Sequence, residues 1–305
     1  MVSVIIPNYN HASYLKRRLD SVLNQSYQDF EVILLDDCST DNSAEILNSY
    51  KNHPKVSHVV LNSENSGSPF KQWARGFELA KGEFIWIAES DDWCETDLLE
   101  TLVLPLENNS SLALGICQCK LVDSSGNKLY QTKCSENEPE VSGEKFIKKY
   151  LFGDTIIVNS GMAVFRKSVL SKTENEYLSF KGAGDWMFWI EIAIHGKVFI
   201  SDKCLNYCYR HDATHTNKSE STGQDFSEGN RIFNYVLSRL SPTKQEIRLA
   251  IKQRIQIYVN QQRKYSSSEI KKKAKRELFS LHNHVLVIYS TYRIKSYLKS
   301  VFFCF

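Results

Sequence analysis

Four times in its first 107 residues the sequence passes from a short apolar run to an amphipathic stretch. Residues 2–7 (VSVIIP), 30–37 (FEVILLDD), 56–62 (VSHVVLN) and 83–88 (EFIWIA) read as strands. Near-continuous apolar runs of this kind belong to strands covered on both faces. The stretches between them read as helices. His11 to Gln25 carries Leu15, Leu19, Val22 and Leu23 on one face. Ser39, Thr40 and Asp41 offer N-caps to a helix bearing Ile46, Leu47 and Tyr50. A third helix follows Ser66-Gly67-Ser68-Pro69 and runs through Lys81, with Gly82 as its C-cap, and a fourth runs from about Glu95 to Glu107. This alternation predicts an α/β fold with a mostly parallel central sheet and right-handed crossovers. Ligands in such sheets bind outside the carboxyl ends of the strands. The polar clusters stand there: Asn8-Tyr9-Asn10, Asp36-Asp37, Asn65 and Glu89-Ser90-Asp91-Asp92.

Beyond residue 112 the pattern changes. A strand is expected at 112–123, a turn at Ser124-Ser125-Gly126-Asn127, a short helix at 142–152 and a strand at 162–166. Gly182-Ala183-Gly184 leads into a helix, DWMFWIEIAIHG, and KVFIS and LNYCYR read as two more strands. From about 226 helical patterns dominate, with Ser266-x-x-Glu269 as a capping box. A boundary near 222–228 divides a domain of residues 1–225, with halves 1–110 and 111–225, from a basic helical region, 226–305.

Charge follows the same division. Residues 227–305 hold 16 Lys and Arg against 4 Asp and Glu, a net +12, and the preceding residues hold 22 against 31, a net −9. An acidic body suits a metal and a substrate, whereas a basic tail suits an anionic surface. No apolar run is long enough to span a bilayer, and no signal-peptide pattern opens the chain. The eight cysteines show no metal-ligand spacing, and several lie in strand-like runs. They read as reduced, mostly buried thiols of a cytoplasmic protein.

The chemistry-bearing candidates are carboxylates. In an extended segment residues i and i+2 project to one side, so Glu89 and Asp91 can face one ligand. Two oxygens with open positions suit Mg²⁺ or Mn²⁺ completed by phosphate and water; the same residues also suit helix capping in a solvated loop. Asp36-Asp37 suits base or ribose recognition, or an Asx turn. Asp185 stands at a helix start, where it serves as a general base or as a cap. Trp186 and Trp189 suit sugar stacking or, at their spacing, core packing. His211 follows a strand as a lone histidine. No G-x-G-x-x-G follows the first strand and no P-loop signature occurs, which withdraws support from the dinucleotide and P-loop classes.

Taken together, VSVIIPNYNHASYL, ILLDDCSTDNS, NSGSPFKQWARGFELAKGEFIWIAESDDW, the Asp185 segment and YRHDATHT resemble the family 2 glycosyltransferases of the GT-A fold, over residues 1–220. The bacterial enzymes of surface-polysaccharide assembly are the nearest in likeness. The resemblance implies a GT-A domain split into a nucleotide-binding half and an acceptor half, followed by a helical extension. Pro7, Tyr9 and Asp37 would line the nucleotide pocket, with Asp37 facing the base and Asp36 supporting the turn. Asn65 and Arg75 would lie near nucleotide and donor sugar. Glu89-Ser90-Asp91 matches the D-x-D motif, with Asp91 as the direct ligand of Mn²⁺ or Mg²⁺. Asp185 matches the catalytic base, and His211 a position near diphosphate or metal. Glu89 in place of Asp, Gly76 where many members have Asn, and Gly184 where an acid often precedes the base are departures.

The implied reaction is inverting transfer from a nucleotide-diphosphate sugar, a UDP-sugar by family weighting, to a saccharide or lipid-linked saccharide acceptor. The competing classes are a sugar-phosphate nucleotidyltransferase, whose Gly-rich basic loop is missing here, and a non-catalytic nucleotide-sugar scaffold. Lys271-Lys272-Lys273-Ala274-Lys275-Arg276 and the closing YRIKSYLKSVFFCF suit either a solvated helical face or peripheral docking on the inner membrane, with Val301, Phe302, Phe303 and Phe305 entering the interface. Nucleic acid is not an expected partner, because the acidic body repels phosphate.

Overall fold

The computed structural model describes residues 1–134, 139–210 and 215–291, with the side chains of 215–218 excepted. His211 and the closing segment with Val301, Phe302, Phe303 and Phe305 lie outside the described residues.

The predicted alternation is present. In chain order, β1 (Val2–Asn8), α1 (Ala12–Leu23), β2 (Phe30–Asp36), α2 (Ser43–Ser49), β3 (Val56–Leu61), α3 (Pro69–Leu79) and β4 (Phe84–Ile87) build the first half. All seven residues of β1 and of β2 are buried. The remaining elements of the sheet-bearing part follow: β5 (Trp93–Cys94), α4 (Leu98–Asn108), β6 (Leu112–Val122), β7 (Lys128–Gln131), β8 (Glu140–Ser142), α5 (Gly143–Phe146), β9 (Ala163–Arg166), α6 (Gly184–Ala193) and β10 (Lys197–Tyr209). The sheet order is β3-β2-β1-β4-β9-β6-β10-β5, with β7 beside β6 and β8 beside β10. β3, β2, β1 and β4 pair in parallel, as do β6 and β10. β9 enters antiparallel between β4 and β6. Trp186 and Trp189 are buried, as core packing requires.

Three local expectations are corrected. KVFIS and LNYCYR are one strand, β10, because register shifts along β6 absorb the polar residues between them as bulges. Gly82 is not a C-cap: α3 ends at Leu79, and a Cβ at Gly82 would lie 2.5 Å from the Ser3 backbone nitrogen. Its role is close approach to β1. Ser267, not Ser266, caps the helix Ser268–Ser280 by accepting from Ile270 N at 3.2 Å. The capping box lies instead at Thr243 and Glu246.

The chain forms two compact units. The first comprises Met1–Phe146, Ile156–Ser179 and the segment from Gly184 through β10. The second comprises Ile147–Thr155, Phe180–Ala183 and the chain from Asp212 onward. It holds α7 (His215–Thr222), α8 (Gln224–Arg239), α9 (Lys244–Gln261) and α10 (Ser268–Ser280). Its core is built around Arg254, fully buried, which bonds Asn230 Oδ1 and the Phe226 carbonyl. Gly229 has no room for a side chain beside that guanidinium. In the same unit, Glu228 accepts from three consecutive backbone amides, those of Lys181 (2.9 Å), Gly182 (2.9 Å) and Ala183 (2.7 Å). Burial raises its pKa, but these bonds and one from Gln224 outweigh it and hold the carboxyl below its ordinary range.

Candidate active site

The carboxyl ends of β1, β2 and β4 gather the predicted residues, and the loops there are tied side chain to side chain. Pro7 is buried within β1. Asn8 Nδ2 donates to Asp36 Oδ1 at 2.7 Å, and Ser39 N and Oγ donate to the same carboxylate. Asp36 therefore closes the β2 turn. Asn10, at φ 57°, receives a bond from Thr40 N. Tyr9, between them, is 44% exposed.

Asp37 is buried and organises the loop before α3. Its Oδ1 accepts from Asn62 Nδ2, Ser66 N and Gln72 Nε2, and its Oδ2 accepts from Ser66 Oγ, all within 2.8–2.9 Å. Asn65 Nδ2 donates to the Asp37 carbonyl at 2.8 Å, and Asn65 Oδ1 accepts from Gly67 N. A carboxylate offers about four acceptor positions. Oδ1 is filled, whereas Oδ2 retains capacity for one more donor.

The acidic turn after β4 is layered. Glu89 Oε1 accepts from Ser160 Oγ at 2.9 Å and from Trp73 Nε1 at 3.2 Å. Burial, then the charge of Asp91, pushes the Glu89 carboxyl up to about 7, against the bonds from Ser160 and Trp73. Asp92 lies deeper, 1% exposed. It accepts from Tyr209 N at 2.8 Å and from Asn159 Nδ2. Burial, then Asp91, raises its pKa as well. Ser90 Oγ bonds His11 Nδ1 at 2.8 Å. Asp91 is half-buried between these two neighbours. Glu89 and Asp91 thus differ in setting: Glu89 Oε1 is engaged by Ser160 and Trp73, and Asp91 is half-buried.

α3 links the pieces. Gln72 reaches Asp37, Trp73 reaches Glu89, and Phe70 packs edge-on against Trp73 at 5.3 Å. A Cβ on Gly184 would lie 2.5 Å from the Phe70 ring. Gly184 immediately precedes Asp185, in the first turn of α6, whose Oδ1 accepts from Trp186 N at 2.8 Å. Gly184, next to Asp185 in the chain, thus packs on the Phe70 ring, which packs on Trp73, which bonds Glu89. Gly184 has a packing reason to be there: an acidic side chain at this position would collide with Phe70. Gly76 is explained in the same way, since a Cβ there would come 2.5 Å from Ile5. Arg75 is not gathered in. Its guanidinium bonds Glu78 at 2.8 Å on an exposed face.

Among the described residues no group of three His, Cys, Asp or Glu side chains is arranged to hold a metal. A divalent cation at this turn would need fewer protein ligands, being completed by ligand phosphates and water. The crowding of charge suits a cation there, because Asp91 raises the pKa of both Glu89 and Asp92. Sequence reasoning missed Trp73, Asn159, Ser160 and Arg18, whose Nε donates to the Glu89 carbonyl at 2.7 Å. Trp73 and Arg18 lie on the buried stripes of their helices. Asn159 and Ser160 open a single short 3-10 turn, Ser160–Met162, too brief for periodicity to announce.

The family model of glycosyl transferase family 2 matches residues 3–173. The chain belongs to glycosyl transferase family 2. Among family relatives, it is 31% identical over 241 residues to the poly(ribitol-phosphate) beta-N-acetylglucosaminyltransferase TarP of Staphylococcus aureus, covering 76% of this chain and 71% of TarP. It is 28% identical over 236 residues to TarS of the same organism, covering 75% of this chain but 39% of TarS. The chain thus spans well under half the length of that curated relative. The crystal structure of TarS 1–349 in complex with UDP-GlcNAc superposes with a TM-score of 0.66 at 21% identity, covering 96% of this chain and 92% of that one. The mannosyltransferase PcManGT of Pyrobaculum calidifontis, in complex with GDP-Man and Mn²⁺, superposes at 0.53 and 17% identity, covering 98% and 86%. The family 2 chain has the expected GT-A fold, with its C-terminal helices.

Proposed function

We propose that the chain is an inverting glycosyltransferase that moves a sugar from a UDP-sugar to a saccharide or lipid-linked saccharide acceptor in cell-surface polysaccharide synthesis. The observation that carries this reading is the meeting of the acidic turn and the Asp185 segment at α3, through Trp73 and Phe70. The relatives named for transfer to poly(ribitol-phosphate) and the UDP-GlcNAc complex of TarS support the acceptor class and the donor nucleotide.

Tyr9 presents an exposed ring for the base, beside buried Pro7, and Asp37 Oδ2 has room to accept a base N–H. Asn65 fixes the loop that carries both nucleotide and donor contacts. Arg75 swings toward the donor sugar by leaving Glu78; a surface ion pair of this exposure holds it by at most about 1 kcal/mol. Ser90 and Glu89 shape the diphosphate side of the turn. Asp91 holds Mn²⁺ or Mg²⁺ together with the donor, and the mannosyltransferase complex with Mn²⁺ supports that choice. His211 is a further candidate from the resemblance alone. When bound, the cation neutralises charge on the departing diphosphate. Asp185 takes the proton of an acceptor hydroxyl. Its oxygen forms the new bond to the anomeric carbon on the face opposite the diphosphate, whose bond breaks, so the configuration inverts.

No described helix is long and apolar enough to cross a membrane. We place the chain on the cytoplasmic side, with membrane contact through α10, whose Lys271, Lys272, Lys273, Lys275 and Arg276 are all exposed, and through Leu286 and Val287, 60% and 67% exposed.

The test is UDP release with candidate UDP-sugars and acceptors. Asp185→Asn is expected to lose about 10²–10⁴-fold in transfer, and Asp91→Asn to lose its dependence on added Mn²⁺. Undiminished transfer in Asp185→Asn would remove it as the base.

A further inference from the structure

Arg18 is the one charged side chain on the buried face of α1, fully buried beside Leu15, Leu19 and Val22. Its Nε donates to the Glu89 carbonyl at 2.7 Å, and the Cys94 thiol lies within reach of the guanidinium. Nη1 and Nη2 have no partner among the described residues. A bare buried donor costs about 1–3 kcal/mol, and more in a charged group. Methionine or leucine would fill this helical stripe without that cost.

The surroundings give the guanidinium another occupation. Its charge pulls on Glu89 and Asp92, the two carboxyls packed behind Asp91. The ring of Trp86 lies 5.8 Å from it. On the far side is Gly161, where a Cβ would come within 3.3 Å of Arg18 Nη2 and 2.8 Å of Asn206 Oδ1. The neighbouring Arg17 works from outside: it lies 3.7 Å over the Trp93 ring, with Nη2 3.5 Å from the Asp91 carbonyl. Two consecutive arginines therefore address the carbonyls at both ends of Glu89-Ser90-Asp91.

We propose that Arg18 is a positioning residue of the donor site: its buried guanidinium fixes the Glu89 carbonyl, and with it the turn that presents Asp91 to cation and diphosphate. This rests on the reading of that turn as the diphosphate site. Side chains that orient a ligating group commonly change metal affinity by about 10–100-fold when removed.

The experiment is Mn²⁺ binding to the full chain in the presence of UDP, read from the loss of the free-ion EPR signal, with melting followed in parallel. Arg18→Met is expected to bind Mn²⁺ about 10–100-fold more weakly. Arg18→Lys keeps the charge, loses the reach to the Glu89 carbonyl, and should fall at the weak end of that range. A purely structural arginine would lower the melting temperature and the folded fraction while the folded molecules bound as wild type does; that result overturns the proposal. If Arg18→Met does not fold, Arg18→Lys decides, and wild-type affinity in it overturns the role. No Mn²⁺ and UDP binding by wild type would overturn the diphosphate reading and Arg18's role with it. Intact wild-type binding with unchanged Arg18 variants would overturn the role alone.

Discussion

Glu89 carries a cost that its neighbours only partly repay. Its carboxyl is raised from an ordinary 4.5 to about 7, by burial first and Asp91 second. Between those pH values the folded chain holds a proton that the unfolded chain releases. Stability therefore falls as pH rises through the window, and the loss is complete above it. In chelator, the melting temperature of wild type should drop between pH 5 and 7 more steeply than that of Glu89→Gln; equal slopes would clear Glu89 of the effect. Gly184 gives a second residue-scale prediction. Gly184→Ala drives a methyl into the Phe70 ring, at about 1–3 kcal/mol, and should reduce transfer by displacing Asp185. Phe70→Leu in the same chain should restore part of the stability. Arg18 was legible in principle: it stands three residues after Leu15 and four before Val22, on the apolar stripe. A charge is ordinarily assigned to the wet side, so the pattern was read past it.

Elements owe their positions to more than their own pattern. The Ser66-Gly67-Ser68-Pro69 start announces α3, and the helix is there, from Pro69 to Leu79. What the pattern does not contain is that Phe70, Gln72 and Trp73 each reach a different segment of the site. Those partners are 16 to more than 100 residues distant in the chain, and periodicity holds only local information. Gly76 sets how closely the helix lies on β1. Gly76→Ala should cost about 1–3 kcal/mol in denaturant unfolding, and Ile5→Val beside it should recover part of the loss. If Gly76→Ala unfolds like wild type, the close packing of α3 on β1 is not what that glycine serves. β10 failed as a sequence reading for the opposite reason. The polar residues at its middle interrupt the apolar run, yet the bulged pairing with β6 carries the strand through to Tyr209, whose amide reaches Asp92.

For the molecule as a whole, charge was the most readable property. The basic C-terminal region and acidic body follow from counting, and the exposed lysines of α10 place part of that charge in solvent. Vesicles with anionic lipid should float the full chain at low salt, and release it as salt rises, because exposed charges are screened within about 10 Å at 0.1 M. Equal flotation with neutral vesicles would refute attraction by charge. The two-unit organisation was less readable. The helical unit recruits Ile147–Thr155 and Phe180–Ala183 from within the earlier sequence, and nothing local in those segments tells which unit they join.

Glu228 has one more consequence. Three successive amides turned toward one carboxylate form the kind of cup in which inorganic phosphate settles. Here the cup formed by residues 181–183 is plugged by the protein's own side chain. The loop carries a built-in counter-ion, so phosphate from solution finds that perch already taken.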